Sequence, residues 1–210
     1  MFGETSHDWQ TQRRTDATSR IVQAAWALAR ENGLAGLSLR DLARRLGMAT
    51  TSLYSYIDSK HALYDAMYAV ASRGFLQFEP PPPVTDLRTA ARLSQRRWVR
   101  FSLADPVRFQ LISYRTIPGF EPSPESYALA EQAYDQASAP FREAGVTQDE
   151  LDMLIAVANG LIGQQLANQP DGQRWVRLVD EVTDLVVDRI ERRLSTEKPR
   201  RRRQPTKEEA

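Results

Sequence analysis

A chain of 210 residues is long enough for one large domain or two small ones and can bury a core without covalent staples. It has no cysteine, which removes disulfides, thiolate metal sites and cysteine nucleophiles, and its two histidines, His7 and His61, lie far apart in sequence, so neither a metal site nor a cofactor is expected. The net charge of +1 hides an uneven distribution: residues 1–60 carry eight Lys and Arg against six Asp and Glu, residues 61–194 fourteen against eighteen, and residues 195–210 six against three.

The first apolar stripe is Ile21, Ala24, Ala25, Leu28 and Ala29, spaced for one face of a helix that stops at Asn32-Gly33. Leu39, Leu42, Ala43 and Leu46 repeat the spacing over a shorter helix, with Ser38 placed to cap it and Gly47 permitting a sharp turn. A third short helix is expected from Thr50 to Ile57, with Leu53 and Ile57 on its buried side. Asp58-Ser59-Lys60 opens a fourth, whose stripe is Leu63, Met67, Val70, Ala71, Gly74, Phe75 and Phe78. Pro80-Pro81-Pro82-Pro83 cannot continue a helix and reads as a stiff connector.

Beyond it, helices are predicted over 85–104, 106–114 and 124–144, two of them begun by an oxygen side chain before proline, Asp105-Pro106 and Ser123-Pro124. Pro140 should kink the third. Thr147 and Glu150 form a capping box, with Val146 stapled onto Leu151, and the stripe Leu151, Leu154, Ile155, Ala158, Leu161, Ile162 and Leu166 runs to Pro170. The last helix carries Trp175, Leu178, Val179, Val182, Leu185, Val186, Ile190 and Leu194, and the Pro/Arg/Lys/Glu-rich tail from Ser195 is expected to be disordered. No strand pattern and no internal repeat occur. No run of about 18 apolar residues spans a membrane, and the polar start MFGETSHDWQTQ lacks an apolar signal region, so a cytosolic protein is expected.

Two short helices joined at Gly47 form a helix-turn-helix pattern, in which the second helix presents its first residues to base edges in the major groove. Those residues are Thr50, Thr51 and Ser52, whose hydroxyls read base edges or hold phosphates. Ser38 and Lys60 each stand at a helix start, where phosphate oxygens are attracted. The segments Ile21–Gly33 (IVQAAWALARENG), Leu37–Gly47 (LSLRDLARRLG) and Leu53–Leu63 (LYSYIDSKHAL) together resemble the DNA-binding domain of the TetR family, over roughly residues 17–64. The resemblance implies that Tyr54 and Tyr56 contact backbone phosphates or base methyls, that Lys60 meets a phosphate and that Arg40 reaches a base edge. Ile57 departs from the family, which usually has an aromatic residue there.

The resemblance further implies an all-α chain: a three-helix helix-turn-helix domain, then a helical ligand-binding and dimerisation domain whose last two long helices pair with their counterparts in a homodimer. Residues 147–169 and 173–194 are the two most apolar long helices, and Gly160 and Gly163 leave room for close approach. A two-fold dimer would place paired reading helices about 34 Å apart, on a palindromic double-stranded operator. Trp98–Ile112 resembles a C-terminal domain type of one subgroup, but Ala156–Gly160 lacks that subgroup's Trp and His, so no ligand identity follows. The aromatic candidates for a small-molecule effector are Trp98, Phe101, Phe109, Tyr114, Phe120, Tyr127 and Tyr134, with Arg97, Arg100, Arg115, Asn159 and Gln164 available to orient it.

The domains expected are a flexible arm over 1–16, the DNA-binding domain over 17–64, the ligand-binding and dimerisation domain over 65–194 and a disordered basic tail over 195–210. Arg13 and Arg14 either put the arm into a minor groove or stay solvated, and the same two readings hold for Arg200–Arg203 on phosphate. The function implied is a DNA-binding transcriptional repressor released by a small molecule. The same fold controlled by a protein partner, lacking an effector, or acting as an activator stays open. An enzyme is not expected, because neither a nucleophile–base pair nor a Gly-rich phosphate loop occurs.

Overall fold

The computed structural model describes residues 4–80, 82 and 86–201, and every regular element among them is a helix. In chain order these are α1 (Glu4–Gly36), α2 (Leu39–Arg45), α3 (Thr50–Leu53), α4 (Lys60–Gln77), α5 (Leu87–Ala104), α6 (Pro106–Ser113), α7 (Pro124–Glu143), α8 (Gln148–Asn168), a 3₁₀ turn (Val176–Leu178) and α9 (Val179–Arg201). No helix among the described residues is long and apolar enough to cross a membrane.

They form two compact units. The first joins the chain up to Leu76 with Asp105–Ala133. Its core collects the stripes of the first four helices: Ile21, Ala25 and Ala29 from α1, Leu42 from α2, Leu53 after the tight turn, and Leu63 and Met67 from α4. Ile57 fills a buried slot at 4% exposure, so the substitution of an aliphatic for an aromatic ring leaves the core closed. Burying each of the Ile, Leu and Met side chains contributes about 1.5–3 kcal/mol. Gly47, at φ 67, turns α2 into α3. The α1 stripe ends at Gly33, at φ 73 and ψ 164, and a short turn through Gly36 follows that break. The Tyr64 hydroxyl closes it by donating to the Leu34 carbonyl at 2.5 Å.

The expected boundary at residues 64/65 does not separate the two units, because α6 and the start of α7 pack with the N-terminal helices. Two carboxylates hold them there. Asp105 caps α6 by accepting from the Arg108 N–H at 3.2 Å and pairs with Arg30 of α1 at 2.6 Å. Asp65 of α4 accepts from the Ser123 N–H at 2.7 Å and from the Ser126 hydroxyl at 2.8 Å, at the start of α7. Leu111 joins the core from α6. Val70, placed by its spacing on the inner stripe of α4, is 44% exposed.

The second unit joins Gln77–Ala104 with the chain from Tyr134. Here α5, α8 and α9 bury Ala91, Val99, Leu151, Leu154, Val187 and Ile190. The capping box is present: Thr147 accepts from the Glu150 N–H, and the Glu150 carboxylate accepts from the Thr147 N–H at 2.9 Å. Glu150 also pairs with Arg193 of α9 at 2.7 Å, and Val146 packs beside Leu151 in the same cluster. Arg88, Arg92 and Arg96, four residues apart on α5, meet Asp188, Asp184 and Asp180, four apart on α9.

Expectations also change at the ends of α1 and α9. The arm expected over residues 1–16 is helical from Glu4, because a helix nucleated on the buried part of α1 extends outward at little cost. The tail expected from Ser195 is helical to Arg201; Arg202 and Arg203 lie outside the described residues, as do Pro81 and residues 83–85 of the proline connector. Residues 173–178 do not begin the last helix directly: the Gln165 side-chain oxygen accepts from the Trp175 N–H at 2.9 Å, and a 3₁₀ turn intervenes. Helix α7 continues through Pro140 to Glu143.

Candidate nucleic-acid interface

The turn at Gly47 leads α2 into α3 so that Leu53 plugs the core while Thr51 and Ser52 face solvent. Thr51 and Ser52 are exposed, Thr50 is half-buried and Tyr54 is 49% exposed. A large aromatic side chain in water beside a row of hydroxyls is a costly arrangement for a core and a useful one for a ligand surface. The helix is short: after Leu53 the bonds tighten, with the Ser55 N–H donating to the Ser52 carbonyl at 3.3 Å and the Tyr56 N–H to the Leu53 carbonyl at 3.0 Å. This replaces the regular helix expected to run on to Ile57. Tyr56 is only half exposed and packs against the core.

Arg40, in the first turn of α2, is exposed and makes no ion pair among the described residues. Its neighbours are engaged: Arg44 pairs with Asp41 at 2.8 Å and Arg45 with Glu31 at 2.7 Å. The Arg45 hydrogen bond holds the Glu31 carboxyl below its ordinary range. Ser38 caps α2, accepting from the Asp41 N–H at 3.4 Å. Lys60 begins α4, where its ammonium donates to the Ala35 carbonyl at 3.2 Å and sits 5.6 Å from the Tyr64 ring centroid. Ser59 caps that helix through the Ala62 N–H at 3.0 Å.

Arg14 of α1 donates to the Ser55 carbonyl at 3.2 Å, which ties the N-terminal part of α1 to the end of α3. Sequence spacing shows the arginine but not the carbonyl, because a contact 41 residues away leaves no periodic trace.

The aromatic effector candidates divide between the two units. Tyr114 and Tyr127 line a cleft of about 260 Å³ in the first unit, together with Tyr68, Ile117 and Phe120. Burial raises the Tyr68 phenol above its usual range, and the neighbouring Tyr127 raises it further. Phe109 is buried and meets Tyr114 edge-on, 5.2 Å between ring centroids, so it supports the cleft from behind. In the second unit Trp98 stacks on buried Phe101 at 5.9 Å and donates to the Asn159 side chain at 2.8 Å. There the Tyr134 hydroxyl accepts from Gln148 at 2.6 Å, with Arg142 over its ring. Of the arginines offered for orientation, Arg97 is buried and donates to the Phe78 carbonyl at 2.5 Å, whereas Arg100 and Arg115 pair with Glu79 and Glu121. Nothing in the sequence separates Tyr68, a cleft-lining phenol, from the buried residues that surround it on α4.

Residues 21–67 match the family model described as "Bacterial regulatory proteins, tetR family". The HTH-type transcriptional repressor DrrR1 of Streptomyces coeruleorubidus is 31% identical over 184 residues, covering 82% of this chain and 64% of the relative. The HTH-type transcriptional repressor Rv1353c of Mycobacterium tuberculosis is 31% identical over 140 residues, covering 66% of this chain and 52% of the relative. The chain thus spans less than two thirds of the length of either. Among solved structures, the TetR family transcriptional regulator PfmR from Thermus thermophilus superposes with a TM-score of 0.58 at 23% identity, covering 80% of this chain and 96% of that one, which is a likeness of fold.

Proposed function

We propose that the chain, whose residues 21–67 match the model of the tetR family of bacterial regulatory proteins, is a cytoplasmic DNA-binding transcriptional regulator of that family, a repressor that leaves a palindromic operator when a small molecule binds. The observation that carries this reading is the exposed row Arg40, Thr51, Ser52 and Tyr54 on a domain whose core is otherwise closed. Thr50, Thr51 and Ser52 read base edges from the start of α3, Arg40 reaches a base edge from α2, and Tyr54 and Lys60 hold phosphates. Tyr56, half embedded, and Ser38, engaged as a cap, contact the backbone at most through the groups they leave exposed.

A second copy of the chain completes the reader. Ile155 on α8 and Leu185 on α9 are 39% and 63% exposed, and a Cβ added at Gly160 would meet nothing, so this face has apolar groups without cover and space for close approach. The effector reading is supported by the phenol-lined cleft in the first unit, which suits an apolar or aromatic molecule. A ligand there acts only if it binds the DNA-free state more tightly.

The test is selection of fragments from genomic DNA by the purified protein, followed by binding of the recovered duplex to Tyr54→Ala and Lys60→Ala. A recovered palindrome, with each variant weakening binding and flattening the salt slope by about two units, one for each protomer, is the expected outcome. Unchanged binding by Tyr54→Ala across salt concentrations would overturn the docking.

A further inference from the structure

Residues 11–16 of α1 take no part in the core. They are all exposed, so this outward segment of helix buries nothing, and a helix without burial is marginal in water. Among the described residues, Arg14 ties it to the end of the reading helix, donating to the Ser55 carbonyl immediately after exposed Tyr54. About a third of a turn round the same helix, Trp9, Arg13 and Arg20 share one face. Trp9 is 56% exposed, and the Arg13 guanidinium lies over its ring at 3.7 Å from the centroid. Arg20 is exposed, and neither it nor Arg13 makes an ion pair among the described residues. The acidic group nearest this face, Asp16, accepts from Gln12 at 3.0 Å.

We propose that this face of α1 is a second DNA-contacting surface, which grips the sugar–phosphate backbone just outside the base pairs read by α3. The inference rests on the reading of α3 given above and extends it to a part of the chain that the family match, residues 21–67, does not include. Three features point to a duplex backbone as the occupant. The surface is continuous with the α3 face through the Arg14–Ser55 contact. Its charge is complementary: among the described residues, two guanidiniums without an ion pair stand against one acid, Asp16, which is engaged by Gln12. Its spacing also fits: Arg13 and Arg20 are seven residues apart, about 10.5 Å along the helix, close to the rise of three base pairs. Arg14 is then a positioning residue that fixes the angle of α1 against α3. Trp9 holds the Arg13 guanidinium extended over its ring, so that less side-chain freedom is lost when a phosphate binds.

The experiment uses the full chain and a duplex recovered by the unchanged protein from a random-sequence pool. It compares hydroxyl-radical footprints and the salt dependence of affinity for Arg13→Ala/Arg20→Ala, Trp9→Ala and Asp16→Asn. All four positions are exposed, so melting temperatures should stay level and report intact folding. The double variant removes two phosphate contacts per protomer, four per dimer, and is expected to lose the outer edges of the footprint and about 3.6 units of salt slope, so that a fourfold rise in salt costs the unchanged protein roughly a hundredfold more affinity than it costs the variant. Base preferences within the half-site should not change. Trp9→Ala should lose part of the same slope, and Asp16→Asn should tighten binding. A double variant with the original slope and footprint overturns this inference while leaving the reading of α3 intact. Recovery of no duplex by the unchanged protein overturns the reading of α3 and this inference with it.

Discussion

Single residues carry the clearest energetic assignments. Glu150 is buried at 2% exposure, is bonded to the α8 cap and is paired with Arg193. The Arg193 hydrogen bond outweighs burial and draws its carboxyl from the ordinary 4.5 down to about 2. A depressed carboxyl stabilises the fold above its unfolded value and loses that contribution as the pH falls through the folded one. Stability should therefore drop by about 3 kcal/mol between roughly pH 4.5 and pH 2 on account of this group. Chemical denaturation across that range should show the decline in the unchanged protein and a flatter profile in Glu150→Gln. Arg193→Ala strands a buried carboxylate and should cost about 3 kcal/mol at neutral pH. The capping box that places Glu150 was legible from Thr147 and Glu150, three residues apart. Its partner on α9 was not, since nothing in the spacing of residues 150 and 193 records that two helices meet there.

At the scale of elements, local chemistry marks the helix starts that carry a capping side chain and says little about the limits of helices that lack one. Ser38, Asp105 and Thr147 all cap the helices their positions predict. The ends moved: α3 tightens early, α1 starts at Glu4 and α9 runs to Arg201. Gly33 is the exception, a break visible in the sequence and present in the backbone at φ 73 and ψ 164, a region nearly closed to other residues. Gly33→Ala should destabilise the first unit by about 1–3 kcal/mol. Because a Cβ there meets no neighbour, the loss is one of backbone strain alone, and a melting temperature equal to that of the unchanged protein would refute it. The α5–α9 ladder of Arg88, Arg92 and Arg96 on Asp188, Asp184 and Asp180 is partly exposed, so it sets the register of the two helices more than it adds stability.

At the scale of the whole molecule, the apolar stripes of α8 and α9 are wider than one chain covers. Ile155 and Leu185 were read from their spacing as parts of buried stripes, and both are exposed here. Periodicity records that a face avoids water, not whether its cover comes from the same chain or from a copy. Leu185→Asp should therefore leave the melting of a dilute monomer unchanged, convert the protein to a monomer in sedimentation and reduce binding to a palindromic duplex far more than binding to a single half-site. A variant that still sediments as a dimer would place the interface elsewhere.

The amino-acid sequence by itself determined the helical class, the caps, the turn at Gly47 and the hydroxyl row at the start of α3, because each depends on residues within about one or two helical turns of one another. Only the tertiary structure decided which of those residues face solvent: that Tyr54 is exposed while Tyr56 packs inward, and that Val70 faces out. It also decided that Asp105 and Asp65 bind α6 and α7 to the N-terminal helices, and that Arg14 meets the end of α3. The reason is the same in each case. Spacing along a chain encodes the face of a helix, whereas the partner of that face is chosen by contacts tens of residues away, which leave no period to read.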